Sequence, residues 1–313
     1  MAKVSLPFIL EGKDFLENSL EYLINYTNTE YKNISKLLTK HGAILYRGFK
    51  VNTINDFEQL VSSLPIISTS YVGGDSPRTK LTKKVYTSTE YPNDQSIVLH
   101  NELTWSNNYP RYLFFYCEIP PLQGGETPLA DSRELFRRLP STLIQRYQRK
   151  KLKYIMNLHR GYGIGKSWQD VFETDSKIEV EHILNKRKID YCWKSNNSLK
   201  MKEVVQPVIR HPKTNEWIFI SQAHQWHPSN LDSDIYESLL SIMPETDFYH
   251  YVCFADDEPL NHNELEITRK IIDSIKIISP WKRKDVLFVD NLLTMHGRNP
   301  FKGDRKILLS LAN

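Results

Sequence analysis

The alternation of apolar and polar positions divides the chain into short strands set between amphipathic helices. Phe15 to Tyr26 and Tyr31 to His41 carry apolar side chains at helical spacing, and Gly42 ends the second run. Ala43 to Phe49 reads as a buried strand running into a turn, and Thr53 to Leu64 returns to helix, with Asp56 and Glu58 near its start. Ser68 to Lys84 is polar, contains Gly73-Gly74 and Ser76-Pro77-Arg78, and reads as loop or edge strand. Strands are predicted over Ile97 to Leu103 and over the aromatic run Tyr112 to Ile119. Gly124 to Asp131 is a turn opening into a strand; Ser132 is then the expected N-cap of a helix from Arg133 to Leu139, with another over Ser141 to Arg149.

The second half begins with Asn157 to Ser167, a stretch holding three glycines, followed by Trp168 to Phe172 and a charged amphipathic segment, Ser176 to Lys186. Short strands follow at Ile189 to Trp193, Val204 to Arg210 and Glu216 to Ser221, then helices at Asp234 to Met243 and Asn263 to Ile275. Val286 to Asn291 and the apolar run Ile307 to Leu311 close the pattern. There is no internal repeat or low-complexity linker. Strands from both ends of the chain with helices between them predict one domain over residues 1–313, with a mostly β core dressed with helices.

Composition narrows the class. Apolar residues make up 40% and charged residues 25%, the balance of a folded globular protein. The 41 Lys+Arg against 37 Asp+Glu leave a formal charge of +4, too small and too scattered for nucleic acid. The basic clusters Arg149 to Lys153 and Lys282 to Lys284 read as solvated faces. Cys117, Cys192 and Cys253 have no metal-like spacing, and an odd number forms no disulfide framework, so reduced thiols are expected. No signal pattern or membrane-spanning apolar run is seen, and the expectation is a soluble cytoplasmic protein without a membrane partner. Its oligomeric state is left open.

The candidate chemistry centres on His100 and Glu102. In a strand from Ile97 to Leu103 they share a face, because residues two apart point the same way. An imidazole and a carboxylate supply two of the three ligands of a 2-His-1-carboxylate iron site, and His296, just past the Val286 to Asn291 strand, is the candidate for the third. Such a set leaves coordination positions for a bidentate co-substrate and for oxygen. A 2-oxo acid also needs a cation for its far carboxylate. Arg305 offers a planar fork for it and Thr127 a hydroxyl.

Each residue alone has an ordinary reading. His-X-Glu arises by chance, His296 is a loop histidine, Arg305 a surface ion-pair partner, and Gly124 to Thr127 a turn. Two histidines and a carboxylate also describe catalytic zinc, so a zinc hydrolase stays open, as does a jelly-roll binding protein without turnover. The zinc hydrolase has no use for Thr127 and Arg305 together, and the presence of all three ligands argues against loss of the metal in a silent protein. Gly124-Gly125 lacks the Lys-Ser/Thr of a nucleotide loop and precedes a strand, so that reading is rejected.

Ordered stretches along nearly the whole chain carry a resemblance. They include Gly42 to Phe49, Ser76 to Thr79, Val85 to Pro92, His100-Asn-Glu102 and Phe114 to Cys117. They continue through Gly124 to Pro128, Trp168 to Phe172, His211-Pro212, Asp290-Asn291, and His296-Gly-Arg298 as far as Arg305. In these the chain resembles the TauD/TfdA superfamily of iron(II)/2-oxoglutarate dioxygenases, and within it the clavaminate-synthase-like, SyrP-like branch. The resemblance implies a double-stranded β-helix, a cupin-like jelly roll whose mouth holds iron. It implies His100, Glu102 and His296 as metal ligands at the catalytic centre, and Thr127 and Arg305 on 2-oxoglutarate, with the register between Arg305 and Lys306 open.

The implied reaction uses O2, converts 2-oxoglutarate to succinate and CO2, and removes a hydrogen atom from the substrate. The implied substrate is amino-acid-like, free or tethered to a carrier protein, in natural-product biosynthesis. Hydroxylation, desaturation, epoxidation and ring closure all remain open. By the same motifs Arg78 and Arg298 are expected near the mouth, contacting the substrate's anionic group or bracing loops through backbone carbonyls. Ser221, Gln222 and His224 are expected to shape the other side, with a lid insertion around 157–200. One departure bears on specificity: many relatives read Trp-Phe-Asn-Gln where this chain has Phe219-Ile-Ser-Gln222.

Overall fold

The computed structural model describes residues 5–69, 71–74 and 76–313; Ser70 and Asp75, within the stretch expected to be loop or edge strand, lie outside the described residues. The fold is built on a six-stranded sheet in the order Phe8–Glu11, Ala43–Arg47, Val286–Asp290, Tyr112–Ile119, Lys306–Ala312 and Tyr86–Thr87. The first pair is parallel and the rest antiparallel. Strands from the two ends of the sequence thus lie side by side, as the pattern predicted.

Period-2 alternation assigns the two faces of this sheet. Phe114, Tyr116, Ile44, Tyr46 and Phe288 point to one side, where Phe57 stacks on Tyr116 at 5.3 Å and Phe114 on Phe288 at 4.3 Å. Helices Leu20–Thr29, Tyr31–His41 and Ile54–Ser63 cover that side. Leu113, Phe115, Leu287 and Leu309 point to the other side. There they meet a three-stranded sheet in the order Ile97–His100, Thr294–Arg298 and Leu129–Asp131. Both faces of the larger sheet are dry, which is why its strands read as continuous apolar runs.

A second layer joins the strands His250–Phe254, Leu152–Leu158, Leu199–Val205 and Asp190–Trp193 in that order. It shares a core with helices Ser132–Arg138, Ser141–Lys150, Lys177–Arg187 and His262–Ile275.

Several boundaries differ from expectation for local reasons. The first helix starts at Leu20, not Phe15, because Ser19 caps it by accepting from Tyr22 N at 3.2 Å. Asp131, not Ser132, caps the next helix after the strand, accepting from Arg133 N at 2.7 Å. The run Val204 to Arg210 is two strands in different sheets, split at Pro207, which has no N–H for a ladder. The expected strand Ile97 to Leu103 stops at His100, with Leu103 in the left-handed region at φ 58°. That last difference falls in the site.

Candidate active site

His100 and His296 are paired opposite each other in the antiparallel ladder between Ile97–His100 and Thr294–Arg298. Opposed residues share a face, so both imidazoles enter the space between the two main sheets. Their ring centroids are 4.6 Å apart, and His296 lies 5.1 Å from Phe115 on the larger sheet. The strands approach closely because residue 297 is glycine: a Cβ there would sit 2.5 Å from the Ile97 carbonyl oxygen.

Glu102 reaches the same point by a different route from the one its spacing suggested. It lies beyond the strand, in a tight turn clamped by Asn291. The Asn291 Oδ1 accepts from Glu102 N at 2.7 Å, while Nδ2 donates to Glu102 O at 3.0 Å and to Pro110 O at 2.8 Å. Asn101 locks the other side, donating to Asn291 O at 2.6 Å and to Ser132 Oγ at 3.1 Å. One side-chain amide thus replaces strand pairing for the carboxylate ligand. Asn291→Ala is expected to lower stability by about 3 kcal/mol in urea unfolding, from buried hydrogen bonds lost and partners left unpaired. A loss below about 1 kcal/mol would show that the turn holds itself.

The Glu102 Oε2 lies 3.7 Å from His100 Nε2 and 3.4 Å from His296 Nε2, and one ligand atom from each of the three fits within a 4.8 Å span. His100 Nδ1 is 2.8 Å from the Val98 carbonyl; donating there places the Nε2 lone pair on the Glu102 side. His296 Nδ1 is buried without a partner among the described residues. Burial pushes the His296 imidazolium down to about 4, so the ring is neutral and free to coordinate. Burial also works against the Glu102 carboxylate, but Arg78 at 2.8 Å and the two imidazoles hold it well below the usual carboxylate range. Two imidazoles, that of His296 neutral, and an ionised carboxylate are a donor set suited to a divalent first-row metal. The Arg78 guanidinium also lies 4.4 Å over the Tyr71 ring.

His100, His296, Thr127, Arg78, Arg298 and Arg305 meet in one open cleft of about 370 Å³. Arg305 donates from Nε to Gly125 O at 2.8 Å and from Nη1 to Ser88 Oγ at 3.4 Å; no carboxylate pairs with it among the described residues. Burial, with the nearby charge of Arg298, lowers it to about 10. The neighbouring Lys306 faces outward and pairs with Glu118 at 2.9 Å. Thr127 accepts from Trp281 Nε1 at 3.1 Å, a contact no sequence motif signalled. The Arg298 guanidinium is taken up by carbonyls: Nη1 donates to Tyr91 O at 2.9 Å, and Nη2 to Pro92 O at 2.5 Å and Gln95 O at 2.8 Å.

Ser221, Gln222 and His224, expected to shape the substrate side, do not line this cleft. They are buried behind the ligand strand. His224 Nε2 is 2.8 Å from Leu99 O, Gln222 Oε1 accepts from Trp105 N at 3.0 Å, and Ser221 Oγ accepts from Ala223 N at 3.0 Å. Burial lowers His224 to about 4. His224 and Gln222 thus hold the backbone on either side of the His100 to Glu102 segment.

The comparisons with known proteins bear on the family and the fold. The family described as "Taurine catabolism dioxygenase TauD, TfdA family" matches residues 11–311. The dapdiamide synthesis protein DdaC of Enterobacter agglomerans is 31% identical over 278 residues, covering 89% of this chain and 84% of that protein. A clavaminate synthase-like protein of Arabidopsis thaliana is 30% identical over 305 residues, covering 94% of this chain and 88% of its own. The solved structure of AAD-2 in complex with Mn(II) and N-oxalylglycine shares the fold, with a TM-score of 0.54 at 12% identity over 99% of this chain and 96% of that one. With its jelly-roll core and a match from end to end, the chain belongs to the TauD, TfdA family and is an iron(II)/2-oxoglutarate-dependent dioxygenase.

Proposed function

We propose that this enzyme oxidises an unactivated C–H bond of a small amino-acid-like substrate, free or carrier-bound, in natural-product biosynthesis. The outcome would be hydroxylation, desaturation or oxidative cyclisation. The observation that carries the site assignment is Arg305, a half-buried side chain whose guanidinium has no carboxylate partner among the described residues, in the same cleft as His100 and His296. A half-buried cation of this kind is stabilised by an anion, and a bound 2-oxo diacid would supply one. Iron(II), bound with 2-oxoglutarate and O2, supplies the C–H oxidising chemistry, with succinate and CO2 as by-products.

The protein's own part is to hold and orient. His100, Glu102 and His296 would hold the metal. Arg305 takes the far carboxylate of 2-oxoglutarate through Nη2. Thr127 Oγ1 already accepts from Trp281, so its own hydrogen is free to donate to that carboxylate. Arg78 balances the Glu102 charge and, with Arg298, keeps the cleft positive for an anionic substrate group. Within residues 157–200 the glycine-containing stretch Asn157 to Ser167 acts as a lid over a single domain, and the reach of Lys166 Nζ to Ser76 O at 3.0 Å supports that reading. The name of DdaC, a dapdiamide synthesis protein, supports the substrate class.

The test has two arms. Anaerobic protein with iron(II) should develop a visible absorption band on adding 2-oxoglutarate; no band would remove the metal and co-substrate assignment. Amino acids and carrier-bound aminoacyl groups are then screened for stimulated succinate release. Product mass separates gain of an oxygen atom from loss of two hydrogens. Silence across that panel would overturn the substrate class.

A further inference from the structure

Trp281 stands behind the co-substrate side of the metal cleft. It lies on the segment between helix His262–Ile275 and strand Val286–Asp290, and that segment is tied down on both flanks of the indole. Ile277 N donates to Leu129 O at 2.7 Å, and Ile277 O accepts from Leu129 N at 2.9 Å. Pro280 O accepts from Arg47 Nη2 at 2.8 Å, and Lys282 N donates to Asp285 Oδ2 at 2.8 Å. Arg47 and Asp285 are themselves a buried ion pair, with Nη2 2.6 Å from Oδ2. The residues on either side of position 281 are thus fastened to one buried pair of charges.

Packing alone does not fix the ring. Trp281 is half-buried, and a cleft of about 300 Å³ lined by Leu45, Leu129, Ile277 and Leu287 opens against it. Thr127 lines both this cleft and the metal cleft, so it forms part of the wall between them. Trp281 Nε1 lies 3.1 Å from Thr127 Oγ1. An indole nitrogen only donates, so the hydroxyl is the acceptor and one of its two lone pairs is taken.

A hydroxyl without a partner turns among three staggered positions, each sending its hydrogen in a different direction. With the indole N–H on one side, the hydrogen cannot point toward Trp281 and is left for an acceptor in the metal cleft. Accepting one bond also polarises the O–H and strengthens its own donation. Gly125, two residues earlier, accepts from Arg305 Nε at 2.8 Å, so the same turn sets the direction of both groups. We propose that Trp281 is a positioning residue for 2-oxoglutarate, its indole N–H aiming the Thr127 hydroxyl hydrogen at the carboxylate that Arg305 takes. This rests on the co-substrate site proposed above.

The test is a cycle of native protein, Thr127→Val, Trp281→Phe and the double variant. Each is loaded anaerobically with iron(II) and titrated with 2-oxoglutarate, following the visible band of the complex. Thr127→Val should weaken 2-oxoglutarate binding by about tenfold, the worth of one hydrogen bond to a charged group. Trp281→Phe should weaken it by about fivefold with iron affinity unaltered, and should add less than about twofold to Thr127→Val. A residue that only supports the fold does not produce that lack of additivity. If Thr127→Val weakens binding and Trp281→Phe does not, or if the two effects multiply, the proposal is overturned while the co-substrate site stands. If Thr127→Val binds normally, or native protein gives no band, the co-substrate reading and the proposal fall together. If Trp281→Phe does not fold, nitrogen–proton correlation spectra of native protein with zinc(II) in place of iron(II) decide. Of the six tryptophan indole signals, the one displaced by Thr127→Val should also move in native protein on saturation with 2-oxoglutarate, and no movement would overturn the proposal.

Discussion

His296→Ala should abolish iron binding and 2-oxoglutarate turnover together while the protein still folds. His296 sits across the ladder from His100 with its Nε2 3.4 Å from Glu102, so its loss leaves two ligands of three and no way for a neighbour to substitute. The cavity left beside Phe115 costs of order 2 kcal/mol, which a domain of ordinary stability tolerates. Iron per chain after anaerobic loading, succinate release and a thermal melt together check this. A variant that still loads a full equivalent of iron would move the metal elsewhere. Glu102→Gln should fail in the same way through a different cause. It removes the negative charge while keeping the shape, and it leaves the buried Arg78 without its anion.

The second large effect is expected at Arg305. Arg305→Lys keeps a charge but loses the fork, so the apparent affinity for 2-oxoglutarate should fall by about tenfold or more, at roughly 1.5–3 kcal/mol for each charge-assisted hydrogen bond. Lys306→Ala is the control. Its ammonium points outward to Glu118, and its removal should leave the 2-oxoglutarate KM within about twofold, the expected size of a surface ion pair's effect. The reverse pattern, with Lys306→Ala defective and Arg305→Lys normal, would exchange their roles.

Glu102 shows how a correct grouping can follow from an incorrect cause. Spacing suggested that His100 and Glu102 share a strand face, yet the strand ends at His100 and the positive φ of Leu103 turns the chain away. The carboxylate arrives beside the imidazoles because Asn291, from the far end of the chain, clamps the turn. Nothing near residue 102 announces that partner. Arg298 is a similar case: its residue type suits an anion, while the fold gives its terminal nitrogens to the carbonyls of Tyr91, Pro92 and Gln95. The Ser221, Gln222 and His224 group lies close to the metal turn but behind it.

Continuous apolar runs bounded by turn signals were enough to identify the strands Ala43–Arg47, Tyr112–Ile119 and Val286–Asp290, because both faces of the sheet they form are dry. Capping and backbone chemistry at Ser19, Asp131 and Pro207 set boundaries that hydrophobic pattern cannot see. Residue chemistry likewise made His100, Glu102, His296, Thr127 and Arg305 candidates for one site. Which oxygen of Glu102 faces the imidazoles, which of Arg305 and Lys306 turns inward, and which arginine is consumed by carbonyls were decided by packing between distant segments. Those choices depend on hydrogen bonds and burial spanning as many as 217 residues of chain, as between Arg305 and Ser88, and no local rule carries that information.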